Sequence, residues 1–313
     1  MPSPKSSKIL VLIGPTGSGK TAISLPLARI LHGEIISADS RQIYRHLDIG
    51  TAKPTHSQRS AVRHHFIDEV PPDAVVTAGE FGERGRRVVA ELLGEGKVPI
   101  VVGGSGLYIR SLIDGLFEGP ATNAECREFL RERLETEGLE SLVQELVEVD
   151  PATAAHIDRS NPRRVLRALE FYHSTGMPLS TQQRDRKVTI PFTAFQFGLE
   201  WARDVLFRRI NERCDAILAG GLLDEVEQLK RLGYLSTLQA LNTVGYKEAF
   251  ALRSGLISYE EMVQLFKQNS RRYAKRQLTW FRRDSRIRWI PMEEPMSPEV
   301  VAEWIAREYL AAT

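Results

Sequence analysis

Two short stretches of the sequence carry the residue types that handle phosphate chemistry. Gly14, Pro15, Thr16, Gly17, Ser18, Gly19, Lys20 and Thr21 match G-x-x-x-x-G-K-[ST] in full. The glycines let the backbone wrap a phosphate chain, and the amides of the turn and the following helix point at it. Lys20 brings a positive charge to a terminal phosphate, and the Thr21 hydroxyl is the expected Mg²⁺ ligand. Asp39 is the second feature. It reads either as a carboxylate that acts as a base or holds a metal beside the cradle, or as a side chain capping the next turn. A hydrolysing ATPase would carry a further strand ending in Asp to hold Mg²⁺. The run Val98–Val102 ends instead in Gly103-Gly-Ser-Gly106, without a carboxylate. That favours a substrate bearing a diphosphate over a nucleotide motor.

These residues need a scaffold, and the hydrophobic pattern supplies one. Lys8–Ile13, Glu34–Ser37 and Lys97–Val102 read as buried strands, with helices at Thr21–Leu31 and Gly79–Leu93 between them. Strand–helix alternation with near-continuous apolar strands predicts an α/β fold, a P-loop NTPase-like parallel sheet flanked by helices. In such a sheet the carboxyl ends of the strands line the ligand crevice, which puts Asp39 near the cradle. From Asn123 to about Thr175 the chain is helical and highly charged, punctuated by Asp150-Pro151 and Asn161-Pro162. Phe192–Leu199 reads as a strand, 203–230 as a helix pair broken at Gly220-Gly221, Tyr259–Arg283 as one long helix and Arg286–Ile290 as a last strand. The predicted organisation is a core from residues 1–119 and 191–313, interrupted by an all-helical insertion domain at 120–190.

Composition excludes several classes. The 313 residues are 42% apolar and 26% charged, which rules out a disordered chain, a collagen-like fibre and a disulfide scaffold. Cys126 and Cys214 are far apart and neither begins a CxxC, so a reducing compartment is expected and a structural zinc site is not. Met1–Ser7 reads as a loose tail. Ile9–Ile13 is too short for a signal-peptide core or a membrane span, so a cytoplasmic location is expected. The net charge of +2 hides a local excess. Between Val263 and Trp289, Lys267, Arg271, Arg272, Lys275, Arg276, Arg282, Arg283, Arg286 and Arg288 face one acid, Asp284. That segment carries +8 and the other 286 residues −6. Arg272, Arg276 and Arg283 are expected to share a helix face suited to tracking an RNA backbone. Trp280 and Phe281 are expected to pack inward.

Taken together, the sequence resembles the tRNA dimethylallyltransferase family. The matching blocks are Gly14–Thr21, Ala38-Asp-Ser-Arg-Gln-Ile-Tyr44, Asp48-Ile-Gly-Thr-Ala-Lys-Pro54, His64-His-Phe-Ile-Asp68 and Val101-Val-Gly-Gly-Ser-Gly-Leu-Tyr108. Asn161-Pro-Arg-Arg-Val-Leu-Arg-Ala-Leu-Glu170, Val244-Gly-Tyr246 and Lys275-Arg-Gln-Leu-Thr-Trp-Phe-Arg282 follow in family order. Many enzymes share the phosphate-binding turn; the Asp-Ser-x-Gln-Ile-Tyr and Asp-Ile-Gly-Thr-Ala-Lys-Pro blocks are far more specific. Ser105 stands where the family usually has Thr, and Asn242-Thr243 stand where some relatives carry Arg. The zinc-finger extension of eukaryotic relatives is absent, which is the bacterial pattern.

The resemblance implies dimethylallyl diphosphate as donor and N6 of adenosine 37, beside the anticodon of tRNA, as acceptor, with Mg²⁺ as cofactor. It implies catalytic roles for Asp39, Ser105 and Lys20. Asp39 is the base for the weakly nucleophilic amine, with Ser105 orienting the amine or the carboxylate. An Arg from another element would help stabilise the leaving diphosphate. Arg209 and Arg213, one turn apart on a helix, read either as that element or as a solvated face. tRNA contacts are expected from Asp39, Ser40, Arg41, Gln42, Ser105, Arg127, Arg163, Arg164, Arg167, Gly245, Tyr246, Lys247, Arg272 and Arg276, with the target base extruded from its loop. A monomer with no membrane contact is expected. The competing readings are an ATP-dependent small-molecule kinase, with Asp39 gripping the acceptor, and a non-catalytic RNA-binding protein.

Overall fold

The carboxyl ends of three strands meet at one level of a parallel sheet, and the chemistry gathers there. The structure, a computed structural model, describes residues 7–115, 124–181, 190–295 and 297–312. The predicted tail, apart from Ser7, and the predicted boundary at Gly119-Pro120 lie outside these residues. β1 (Lys8–Ile13), β2 (Gly33–Ala38), β3 (His64–His65), β4 (Val98–Gly103), β5 (Thr193–Trp201) and β6 (Ile287–Met292) form one sheet in the order β3-β2-β4-β1-β5-β6. Every pairing is parallel. Ile9 to Ile13 are fully buried, as expected for a central strand covered on both faces. Gly103 pairs with Ile13 on one side and Ala38 on the other. The segments leaving β1, β2 and β4 are Gly14–Gly19, Asp39–Gln42 and Gly104-Ser105, and all three emerge from that edge.

The core helices are α1 (Lys20–Ile30), α2 (His56–Ala61), α3 (Ala78–Gly94) and α4 (Gly106–Asp114). The chain folds as two units, Met1–Ile113 with Ile190–Thr313, and Asp114–Thr189. The second unit thus starts at Asp114 rather than at residue 120. It contains α5 (Ala124–Val149), kinked at Gly138, then α6 (Pro151–His156) and α7 (Pro162–Thr175). Its small core is built on Leu130, Leu142, Leu146, Val165 and Leu169. Both x-Pro punctuations are helix starts. Asp150 and Asn161 accept from the backbone amides of Thr153 (3.0 Å) and Arg163 (3.1 Å), with proline in the first turn.

In the first unit, α8 (Arg203–Ala219) and α9 (Leu222–Arg231) are the predicted pair split at Gly220-Gly221. α10 (Tyr246–Arg253) and α11 (Tyr259–Phe281) follow, and α12 (Pro298–Ala311) closes the described chain. Five elements, α2, β3, α4, α10 and α12, are not among those expected from the sequence, and one expected helix ends early. The two-residue β3 was not expected, because a two-residue strand has no periodicity to read. α12 was not expected either, although Ser297 caps it, Pro298 opens it and Val301, Ile305 and Tyr309 recur at i, i+4 and i+8 on its buried side. α11 ends at Phe281, so Arg283 lies in the turn beyond the helix and does not extend the face of Arg272 and Arg276.

Candidate active site

The phosphate-binding turn is held from several directions. Gly19 is the N-cap of α1 at φ 92°, a left-handed conformation open to glycine at little cost. Trp201 Nε1 donates to the Ser18 carbonyl (3.0 Å), and the Thr16 amide donates to Gln277 Oε1 (2.9 Å). Lys20 Nζ folds back onto the carbonyls of Gly14 (2.9 Å) and Pro15 (2.8 Å). Burial, aided by the nearby Arg213 charge, lowers the Lys20 amine to about 7, and Asp39 opposes that shift.

Arg209 and Arg213 do not form a solvated face. Arg213 Nη1 donates to Thr16 Oγ1 (2.6 Å) and Nη2 to the Thr51 carbonyl (3.1 Å). Arg209 Nε donates to the Gly17 carbonyl (3.1 Å), its guanidinium lies 4.3 Å from the Trp201 ring centroid, and Nη1 pairs with Glu294 (3.0 Å). Both side chains are drawn inward because α8 packs beside the turn: a Cβ on Gly17 would come within 2.9 Å of Ile210.

Asp39 follows β2 directly. Its Oδ1 accepts from the backbone amides of Arg41 (2.8 Å) and Gln42 (3.4 Å), so it does cap the next turn. Oδ2 has no protein hydrogen bond among the described residues, and the side chain lines a cavity shared with the phosphate-binding turn. The two readings of Asp39 are therefore compatible, one per oxygen. Ser105 Oγ accepts from the Ser40 amide (3.0 Å) and donates to Ser40 Oγ (3.3 Å). Ser105 also bonds Tyr273, whose hydroxyl burial and the Asp39 charge push up to about 12. The Gln42 side-chain amide is engaged with Ser37 Oγ (3.2 Å) and the carbonyls of Thr51 and Ala52 (both 3.4 Å). Arg41 Nη1 donates to the Gln239 carbonyl (2.8 Å).

Two cavities meet here. One, of about 730 Å³, is lined by Gly17 to Thr21, Asp39, Arg209 and Arg213 among others. The other, of about 410 Å³, is lined by Ser40, Ser105, Tyr108, Arg276 and Trp280 among others. Arg41, Gly104, Tyr273 and Gln277 line both. The cavity at the phosphate-binding turn and a second opening flanked by aromatic rings thus share a wall of Arg41, Gly104, Tyr273 and Gln277, with Asp39 lining the first and Ser105 the second.

Comparison with known proteins supplies the relationship. The family model described as IPP transferase matches residues 42–284. This chain belongs to the IPP transferase family. A tRNA dimethylallyltransferase of Pelotomaculum thermopropionicum is 44% identical over 97% of this chain and 96% of its own. One from Geobacter metallireducens is 44% identical over 93% and 94%. Among solved structures, the tRNA delta(2)-isopentenylpyrophosphate transferase of Staphylococcus epidermidis is 36% identical, with TM-score 0.71, covering 98% of this chain and 100% of its own. A eukaryotic dimethylallyltransferase acting on tRNA is 26% identical, with TM-score 0.84, covering 98% of this chain and 80% of its own.

The basic surface of this IPP transferase is narrower than its sequence suggests. Lys267, Arg282, Arg286 and Arg288 pair with Asp215, Glu200, Asp284 and Glu308, and Arg271 donates to Asn211 (2.6 Å). Arg272, Lys275, Arg276 and Arg283 are exposed and have no acidic partner among the described residues. Trp280 is a correction: it is 37% exposed, while Phe281 is buried as expected. One helical position separates them, and the α11 face carrying Trp280 opens onto the smaller cavity. Gly245 and Tyr246 are a second correction. Both are buried and cannot meet an RNA surface, whereas Lys247 is exposed. In the helical unit Arg163, Arg164 and Arg167 are exposed on α7; Arg127 and Arg167 approach Glu170 at 3.5 and 3.6 Å. Sequence reasoning missed Tyr273 and Gln277. They belong to a matching family block or its flank, stand four residues apart on α11 and line both cavities.

Proposed function

We propose that this chain transfers the dimethylallyl group of dimethylallyl diphosphate to N6 of adenosine 37 in tRNA and releases diphosphate. The observation that carries this reading is Asp39: it lines the cavity that also holds the phosphate-binding turn, its Oδ1 is taken by the turn amides while Oδ2 has no hydrogen bond among the described residues, and Ser105 lines the second cavity. The N6 lone pair attacks C1 of the dimethylallyl group as the C1–O bond to diphosphate breaks. The N6 proton passes to Asp39, and the electron pair of the broken bond leaves on diphosphate. General base assistance of this kind contributes about 10²–10⁴-fold.

The turn amides, Lys20, Arg209 and Arg213 stabilise the charge that grows on the departing oxygen. Ser105 acts by holding the Ser40 backbone beside Asp39. Mg²⁺ fits the residues present: Thr21 offers one hydroxyl, no cluster of His, Cys, Asp or Glu stands among the described residues, and Mg²⁺ commonly takes most of its ligands from substrate phosphate and water. When bound, the ion would neutralise charge on the diphosphate.

The acceptor base enters by the smaller cavity, where Tyr273 and Trp280 offer ring surfaces and Arg276 offers charge. Arg41 is the residue available for a base edge, since the Gln42 side-chain amide is engaged within the protein. Ser40, Lys247 and Arg272, with Arg127, Arg163, Arg164 and Arg167 of the helical unit, are proposed tRNA contacts. The protein acts as a monomer in this reading.

Incubation with tRNA, Mg²⁺ and labelled dimethylallyl diphosphate should place label in tRNA and release diphosphate without consuming ATP. ATP turnover with no label in tRNA would mean a kinase. The salt dependence of tRNA binding tests the surface. Arg272→Ala combined with Arg276→Ala should weaken binding and lower the slope of log K against log salt by about 1.5, since each phosphate neutralised contributes about 0.7–0.9. An unchanged slope would put the tRNA elsewhere.

A further inference from the structure

We propose that Glu225 is a positioning residue that sets the diphosphate end of the site without touching substrate. It lies in the first turn of α9 and is buried. Oε2 accepts from the amides of Asp48 (2.8 Å) and Ile49 (2.7 Å), and Oε1 from the Gly50 amide (3.0 Å) and the Tyr246 hydroxyl (2.5 Å). Four donors thus converge on one carboxylate. Three consecutive backbone amides of one loop form a small anion-binding nest, filled here by the protein's own carboxylate. The Tyr246 ring lies close against the same loop, since a Cβ on Gly50 would approach it within 2.5 Å. Lys53, further along the loop, pairs with Asp48 and Asp68, so the segment is pinned at both ends.

Thr51, the next residue of that loop, makes the connection to the site. Its carbonyl accepts from Arg213 Nη2 (3.1 Å) and lies 3.4 Å from Gln42 Nε2. Arg213 reaches on to Thr16 in the phosphate-binding turn, and the Gln42 backbone amide reaches back to Asp39. Glu225 therefore fixes the carbonyl that aims Arg213 at the cradle and steadies the turn after Asp39. A Gln at position 225 keeps one acceptor oxygen but turns its NH2 toward the other pair of donors, and the loop would have to shift. Tyr246, expected from the sequence to face tRNA, finds its role here instead.

The inference rests on reading the larger cavity as the diphosphate site, and its test separates the two. Calorimetry on the full chain with inorganic diphosphate and Mg²⁺ reads that end of the site directly. Glu225→Gln should weaken diphosphate binding about tenfold or more, and raise KM for dimethylallyl diphosphate alike, because a charged hydrogen-bond hub is removed. Its tRNA affinity should stay within about twofold. Glu225→Asp, which keeps the charge on a shorter stem, should fall between Gln and wild type. Val226→Ala, a cavity mutation at the buried neighbour on α9, should lower Tm and leave diphosphate affinity unchanged. If Glu225→Gln lowers Tm but binds diphosphate as the wild type does, Glu225 is only a structural clamp and the proposal fails. Should Glu225→Gln not fold, Tyr246→Phe removes one of the four donors and should weaken diphosphate binding a few-fold; unchanged affinity there overturns the proposal as well. A wild type that does not bind diphosphate overturns the site assignment itself.

Discussion

Replacing Asp39 by Asn lowers the transfer rate by about 10²–10⁴-fold and leaves tRNA affinity within a few-fold. The choice of Asn follows from the two oxygens. Oδ1 holds the Arg41 and Gln42 backbone amides, and the Asn carbonyl oxygen can keep both bonds. What Asn lacks is the lone-pair basicity needed to take the N6 proton. Asp39→Ala would remove the cap together with the base, and its effect would mix a displaced turn with missing chemistry. Single-turnover transfer measured beside a tRNA binding titration separates the cases. A large loss of tRNA affinity in Asp39→Asn would make Asp39 a recognition residue.

Lys20→Met is expected to lower transfer by about 10²–10³-fold, the usual effect of deleting one charge-stabilising donor. The wild-type amine also carries a pH signature. Burial and Arg213 hold it at about 7 in the folded protein, against an ordinary value of 10.5. At pH 8 the amine is mostly neutral, and an arriving diphosphate favours the charged form. Diphosphate binding at pH 8 should then take up a substantial fraction of a proton, read by calorimetry in two buffers of different ionisation enthalpy. Lys20→Met should abolish that fraction.

The same shift affects stability. Between about pH 7 and 10.5 the unfolded chain holds the Lys20 proton and the folded chain does not, so stability rises with pH across that window. Below pH 7 both states are protonated and the cost of burying the charge is fully present. Thermal melts of the ligand-free protein should show this rise, and it should flatten in Lys20→Met. A wild-type slope identical to that of the variant would mean that Lys20 titrates near its ordinary value.

Much of this protein is decided by its sequence. The run Lys8–Ile13, β-branched and apolar and followed at once by a Gly-rich turn, reads as a strand buried on both faces, and the full G-x-x-x-x-G-K-[ST] pattern after it points to a phosphate-binding turn. Asp150-Pro151 and Asn161-Pro162 carry their caps and first helical residues side by side. These features are local, so neighbouring residues suffice to determine them. Alternation of strand and helix then implies the parallel sheet, and the sheet implies that Asp39 and the phosphate-binding turn share an edge.

Other features depend on what lies opposite in space. A helical repeat cannot distinguish a solvated arginine from one turned inward. Arg213 meets Thr16 and Thr51 only because α8 packs beside the turn. Trp280 and Phe281 are adjacent large aromatics of like hydrophobicity, and the opening above α11 leaves one exposed and buries the other. Of the nine basic residues between Val263 and Trp289, acids on other elements claim Lys267, Arg282 and Arg288, and only Arg286 pairs within the segment. Tyr246 carries a hydroxyl suited to an RNA contact, yet Glu225, 21 positions away, claims it inside the core. Residue type sets what each group is able to do; packing between distant segments sets which partner it meets, because burial, charge pairing and hydrogen bonding are properties of the neighbourhood that the fold assembles.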